Sequence, residues 1–266
     1  MTLAIVSTKE SLAAALLPSF AVTVIVSEPT SALAGVPLNG ALSLQTGADG
    51  RTIGQLKLEA DGNRLQADAR LDALADGRDD HWELKADLQS MKRLQPLWKL
   101  ALAGGADARL AGKLSADARI DGRWPALVTQ GRLDGDELRF GAVELQRAQG
   151  RWTLGTQANA PLDATLELGP LSLGAPSAER TTLKLKGTPA AHTLDLDVES
   201  KALPPAWVEA VQNAPRGTTA KRTLARLQVQ GGMLGSSASG PTGWRGKLRK
   251  AELRGDAAAA PPWLQM

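Results

Sequence analysis

Side chains able to do chemistry are few and scattered in this sequence. The 266 residues include two histidines, His81 and His192, and no cysteine. Without cysteine there is no thiolate nucleophile, no thiolate metal site and no disulfide. Each histidine sits at the start of a strand-like segment, with no neighbour at metal-ligand spacing, and two histidines alone make a poor zinc set. Asp79-Asp80 and Asp134 to Glu137 come nearest to a carboxylate pair or a Ca²⁺ loop. Acidic loop residues of this kind are read as solvated. No Gly-x-Ser-x-Gly elbow, phosphate-binding loop or dinucleotide fingerprint is present. The expectation is a protein that is not an enzyme, with no cofactor and no metal.

Composition narrows the class further. The chain is 43% apolar and 22% charged, enough apolar content for a real core and too much for general disorder. It has seven Trp, two Phe and no Tyr. That set does not furnish the aromatic girdles of a porin-like barrel or the stacking platforms of a single-strand nucleic-acid binder. The 31 basic residues are interspersed with 28 acidic ones, and no nucleic-acid partner is expected. The nearest basic cluster, Arg245, Lys247, Arg249, Lys250 and Arg254, reads by its alternation as one solvated strand face.

Residues 11–26 (SLAAALLPSFAVTVIV) are uncharged. The run is short of the roughly 20 residues that span a bilayer as a helix, and Pro18 and Ser19 interrupt it. A buried strand, a signal or anchor core, and an effect of where the reading frame begins are the three alternatives. Residues 1–34 are left unassigned.

What must position any functional group is a run of strands. From Gly40 onward, apolar residues recur at every second position. Leu56 and Leu58 alternate with Gln55, Lys57 and Glu59, and Leu65 with Arg64 and Gln66. Trp82, Leu84 and Leu88 alternate with Glu83, Lys85 and Asp87, and Leu114 to Ile120 with Ser115, Asp117 and Arg119. Leu162, Leu166 and Leu168 alternate with Asp163, Thr165 and Glu167. Leu183 and Leu185 alternate with Lys184 and Lys186, and Leu194, Leu196 and Val198 with Asp195, Asp197 and Glu199. A period of two puts successive side chains on opposite faces of a strand, so each segment has one apolar and one charged face. Leucine and alanine supply that face where branched residues normally would, giving a smooth aliphatic surface.

Turn chemistry separates the bursts. Gly47 to Gly50, Asp61-Gly62-Asn63, Asp76-Gly77, Gly104-Gly105, Asp121-Gly122, Asp134-Gly135 and Gly187-Thr188-Pro189 supply positive or preset φ for hairpins. Strand and turn at this spacing predict an antiparallel meander. Two short helices interrupt it, at Met91 to Leu102 and Pro204 to Val211, each read as a cap over an apolar surface or as a plain connector. Gly231 to Gly243 and Ala257 to Pro262 are read as loops.

Several segments carry a resemblance. They are Gly35-Val36-Pro37-Leu38-Asn39-Gly40-Ala41-Leu42-Ser43-Leu44, the turn Ala60-Asp61-Gly62-Asn63-Arg64-Leu65, and Gly104 to Leu114 leading to Asp121-Gly122-Arg123-Trp124-Pro125-Ala126-Leu127. To these add Leu183 to Val198 (LKLKGTPAAHTLDLDV), and Trp244-Arg245-Gly246-Lys247-Leu248 followed by Pro262-Trp263-Leu264. In this order they resemble an internal stretch of the translocation and assembly module TamB family, AsmA-like bridge-type lipid transport proteins, over residues 35–266. Asp61 stands where the family turn carries glycine. The family's N-terminal anchor and C-terminal domain have no match here, so the chain is expected to be a fragment of a longer protein.

The resemblance implies an all-β fold, a long twisted antiparallel meander folded into an open, taco-like groove with an apolar interior. It implies phospholipid acyl chains as partners, lined by Leu56, Leu58, Leu65, Trp82, Leu84, Leu88, Leu114, Ile120, Leu162, Leu166, Leu168, Leu183, Leu185, Leu194, Leu196 and Val198. It also implies a periplasmic place in a Gram-negative cell, with inner-membrane anchorage and an outer-membrane partner barrel belonging to the full-length parent. Two other functions stay open: a scaffold for outer-membrane protein assembly, and a plain β-sandwich or solenoid whose apolar faces are its core.

Overall fold

The computed structural model describes residues 4–8, 20–26, 32–72, 80–101, 109–174, 176–201, 222–235, 243–256 and 262–266. Within the stretch read from sequence as one repetitive region, the chain divides into two units, Met1–Gly141 and Ala142–Met266.

The first unit holds β1 (Ala4–Thr8), β2 (Phe20–Val26), β3 (Ala32–Leu33), β4 (Val36–Thr46), β5 (Arg51–Ala60), β6 (Asn63–Asp72), β7 (His81–Leu88), β8 (Leu110–Arg123) and β9 (Ala126–Phe140). Each strand pairs antiparallel with its neighbour in the order β1–β2–β4–β5–β6–β7–β8–β9, and β3 folds onto the start of β4. Residues 20–26, inside the segment left unassigned from sequence, pair with β4 along the whole of β2.

The second unit repeats the scheme. Its strands are β10 (Val143–Gly155), β11 (Leu162–Leu168), β12 (Leu171–Leu173), β13 (Pro176–Ala178), β14 (Arg180–Thr188), β15 (Ala191–Ser200), β16 (Thr223–Leu234), β17 (Gly243–Gly255) and β18 (Leu264–Gln265). β11 and β12 lie end to end along β10, β13 pairs with β12 and β14 with β11, and β15 to β18 follow in turn. Every pairing is antiparallel, so the expected all-β meander is what the chain forms. Among the described residues, the first and last strands of each unit are not paired with each other, and each sheet is open.

Turns fall partly where the sequence puts them. Asp61 and Gly62 have φ of 47° and 78°, the positive pair that a two-residue hairpin needs. Asp121-Gly122 and Asp134-Gly135, expected as turns, lie instead inside β8 and β9, and Gly135 pairs with Leu114. The hairpin between these strands is made by Trp124-Pro125. Gly231 to Leu234, expected as loop, continue β16 against Gly243 to Gly246. Asp76-Gly77, Gly104-Gly105, Pro204 to Val211, residues 236–242 and residues 257–261 lie outside the described residues.

The expected helix after β7 is a 3₁₀ turn, Met91–Leu94, running into α1, Gln95–Ala101. Pro96 falls in the first turn of α1, where its missing N–H has no helical partner to lose. The turn is fixed by Asn63, which is 2% exposed. Its amide donates to the Ala60 carbonyl at 3.0 Å and its oxygen accepts the Ser90 N–H at 2.9 Å. Arg93 adds a bond to Asp61 at 3.2 Å. Met91 is thereby buried at one end of the first unit, where Leu110, Leu138, Ala60 and Val36 are also buried. Among the described residues, no helix is long and apolar enough to cross a membrane.

At the opposite end of β7, Asp80 corrects the expectation that the acidic loop residues are solvated. It is 4% exposed, accepts the Asp72 N–H at 2.8 Å and receives Arg123 Nε at 2.7 Å. Arg123 also donates to the Asp72 carbonyl at 2.8 Å, tying the ends of β6, β7 and β8 together. Burial pushes the Asp80 carboxyl up, but the bond from Arg123, the Asp72 amide and the guanidinium charge outweigh it and hold it below the ordinary aspartate value. A depressed carboxyl contributes stability above its unfolded pKa and loses it as pH falls through its folded one. Asp80→Asn should therefore cost about 2–3 kcal/mol near pH 7, less than a fully buried pair because Arg123 is half exposed. The loss should shrink as the pH falls through the lowered folded pKa, as urea titrations at neutral and strongly acidic pH would show.

Candidate functional site: the apolar sheet faces

Strand register decides whether the alternating leucines form a surface or a scatter. In an antiparallel ladder directly opposed residues share a face. Across the first unit one rung reads Leu42, Leu56, Ala67, Leu84, Ala118, Gly131 from β4 to β9. The rungs beside it read Gly40, Leu58, Leu65, Ala86, Ala116, Leu133 and Leu44, Gly54, Ala69, Trp82, Ile120, Thr129. Leu88 and Leu114 oppose each other one rung further. All eight residues expected in this unit thus share one face.

The second unit behaves alike. One rung reads Gly150, Leu166, Leu183, Leu196, Leu227, Ala251, and the next Trp152, Ala164, Leu185, Leu194, Val229, Leu248. Leu168 and Val198 stand on a third, which ends at Leu253 and Leu264. Leu154 and Leu162 begin a fourth. The eight residues expected here are again on one face.

The register adds residues that alternation alone did not reveal. Leu133 and Leu138 on β9, Trp152 and Leu154 on β10, Leu227 and Val229 on β16, and Leu248 and Leu253 on β17 complete these faces. Bulges conceal those on β9 and β17. Glu137, at φ 50°, is an extra residue on β9 opposite Gly112, and the register shifts between Ala111 and Lys113. Arg249 is the extra residue on β17, where Gln228 pairs with Lys250 and Val229 with Leu248. Each bulge moves the apolar set to the other parity, so a strict period of two fails there.

These faces are only half covered. Among the described residues no large side chain is fully buried, and on the faces Leu44, Leu65, Leu227 and Leu248 are 36–49% exposed. Inner-face leucines of a closed sandwich would be largely shut off from water. Leucine side chains fill the space beside the glycines of these faces. A Cβ on Gly54 would stand 3.1 Å from the Leu44 side chain, and one on Gly40 would stand 3.1 Å from that of Leu58.

The opposite faces are charged and cross-linked. Arg132 meets Asp117 at 2.9 Å, Arg64 meets Glu59 at 3.6 Å and Arg226 meets Asp197 at 3.0 Å. Lys250 and Arg254 both reach Glu252, whose carboxyl is held low first by the Lys250 hydrogen bond. The basic cluster of β17 is thus paired with acid at its C-terminal end. His81 lies between Asp121, 2.7 Å from Nδ1, and Glu83, 3.2 Å from Nε2, while Arg119 grips Asp121 through Nε and Nη2. The Arg119 bond chiefly holds the Asp121 carboxyl low, and the His81 bond chiefly does so for Glu83. Sequence spacing missed this cluster because Asp121 is 40 residues from His81. Among the described residues no group of three or more acidic and histidine side chains is arranged to hold a metal ion.

What the arrangement can do is present aliphatic surface to water on one side of each sheet while the other side stays solvated. Comparison with protein-family models, with curated proteins and with solved structures finds no match.

Proposed function

We propose that this chain is a non-enzymatic segment of a periplasmic bridge between inner and outer membranes, and that its apolar sheet faces carry phospholipid acyl chains. The observation that carries the reading is the apolar register, six strands wide in each unit, lined by leucines that remain partly exposed. A smooth Leu and Ala surface suits a fluid partner, since it offers contact without demanding one shape. A sixteen-carbon chain lying on it with about half its surface covered would gain about 5–6 kcal/mol, at roughly 0.8 kcal/mol per fully buried CH₂. The headgroup needs no polar pocket, because it can stay in water at the sheet margin. The resemblance to TamB-like lipid transport proteins supports the same reading.

Photo-crosslinking residues at Leu58, Leu84 and Leu185 test the reading in cells. Phospholipid adducts are expected at all three, and none at Lys57, Lys85 or Lys184, which face the other way. Adducts to unfolded outer-membrane proteins in place of lipid would favour the assembly-scaffold function. No adduct of either kind would remove the transport reading.

A further inference from the structure

A histidine lies on the apolar face of the second unit, and its contacts define its protonation state. His192 opposes Gly187 on β14 and Gly231 on β16, and Gly231 opposes Gly246 on β17. Trp244 lies across this row. A Cβ on either Gly231 or Gly246 would collide with its six-membered ring, so only bare backbone admits the indole here. The indole Nε1–H donates to His192 Nε2 at 2.9 Å, with the two rings 6.3 Å apart between centroids. On its far side, His192 Nδ1 is 3.1 Å from the Thr188 carbonyl oxygen. A carbonyl only accepts and an indole N–H only donates. Nδ1 therefore carries the hydrogen and Nε2 is a bare acceptor: the ring is neutral in this arrangement.

We propose that Trp244 is a proton-released cover over a glycine-floored slot on this apolar face. A proton added to His192 goes to Nε2, the one ring nitrogen with a lone pair. Two N–H groups then point at each other, and the bond that holds Trp244 down becomes a repulsion. Among the described residues, no side chain nearby offsets the new charge. On the same face the adjoining rung holds Leu185, Leu194, Val229 and Leu248, and the outer one holds Met233 beside Trp244. Pro189, Ala190 and Ala191 form the adjoining turn. Among the described residues, none of the strands packed around His192 places a charged group on this side. Trp244 is already 47% exposed, so the indole can swing outward without disrupting a core. Its departure bares the backbone of Gly231 and Gly246. Protonation of the imidazole therefore opens the slot. This inference requires no bound lipid, and it stands or falls separately from the proposed transport.

The test is a pH titration of the full-length chain by NMR, without lipid, following the Trp244 indole N–H and the His192 ring nitrogens in one sample. Trp244→Phe assigns the indole signal. At about pH 8 the indole N–H should be protected from exchange and Nε2 should show the shift of an unprotonated acceptor. On acidification the indole signal should move to the free position with the same midpoint as the His192 ring, and acrylamide quenching of Trp244 should rise about two-fold. In His192→Gln, whose side-chain oxygen accepts but does not titrate in this range, the indole should stay bonded throughout. An indole signal that ignores the His192 titration, or one that moves identically in His192→Gln, overturns the proposal. If His192→Gln fails to fold, the wild-type comparison of the two midpoints still decides.

Discussion

Leu166→Asp combined with Leu196→Asp should abolish lipid retention while leaving the second unit folded. The two positions flank Leu183 on one rung, so the variant sets two carboxylates across the middle of the apolar face. All three leucines are of intermediate exposure. A carboxylate there reaches water, and each substitution costs only the partial burial of one leucine, about 1–2 kcal/mol. Were the same face packed against a second layer, each buried charge would cost about 3–5 kcal/mol or more, and two would unfold a domain of ordinary stability. The lipid pays differently. An acyl chain crossing the rung loses several CH₂ contacts and must strip water from two charges, on the order of 4 kcal/mol, or about a thousand-fold in affinity. Circular dichroism and urea titration read the fold, and lipid analysis of the purified variant reads retention. Loss of fold together with loss of lipid would favour the closed-sandwich alternative.

The second large effect is expected at a single glycine. Gly112 has φ +104° and stands opposite the β9 bulge; a Cβ there would lie 2.6 Å from the Glu137 carbonyl oxygen and 2.8 Å from that of Asp136. Both listeners are backbone, which cannot turn aside as a side chain would. Gly112→Ala should therefore destabilise the first unit by about 3 kcal/mol or more, combining a forbidden φ with a clash that displaces the bulge. Gly141 is the control. Its φ is +62°, but a Cβ would meet nothing within 4 Å, so Gly141→Ala should cost only about 1 kcal/mol of left-handed strain. Urea titration of both variants separates the two contributions. Equal costs would mean that the bulge yields and that Gly112 is tolerated for flexibility alone.

The fold was legible wherever alternation was strict. β5, β6, β7, β11, β14 and β15 carry uninterrupted apolar positions two apart, and their registers leave Leu56, Leu84, Leu166 and Leu196 on the faces expected for them. Legibility fails for identifiable reasons. Asp121-Gly122 and Asp134-Gly135 have turn composition, yet local composition does not register that a strand partner waits on either side. The Gly122 N–H is taken by the Asp80 carbonyl at 2.8 Å, which keeps β8 extended to Arg123. The Gly231-Gly232 pair reads as loop because what calls for glycine there, the Trp244 ring over Gly231 and the Ala190 carbonyl beside Gly232, comes from distant parts of the chain. The bulges at Glu137 and Arg249 reverse the alternation in mid-strand, and so concealed half of β9 and β17. Asp80 looks like any acidic loop residue, since its partner Arg123 is 43 residues away. The chemistry of the candidate site, by contrast, needed only the pattern, because an aliphatic face is defined by repetition and not by a constellation of distant groups.

Partly exposed apolar faces that hold acyl chains are the core of the proposed function. The most direct measurement is native mass spectrometry of the purified full chain after incubation with phospholipid vesicles and removal of unbound lipid. The proposed function predicts a ladder of phospholipid adducts on the wild-type protein and its disappearance in Leu166→Asp/Leu196→Asp of unchanged fold. A wild-type spectrum showing the bare chain alone, under conditions where the protein remains folded, would contradict it.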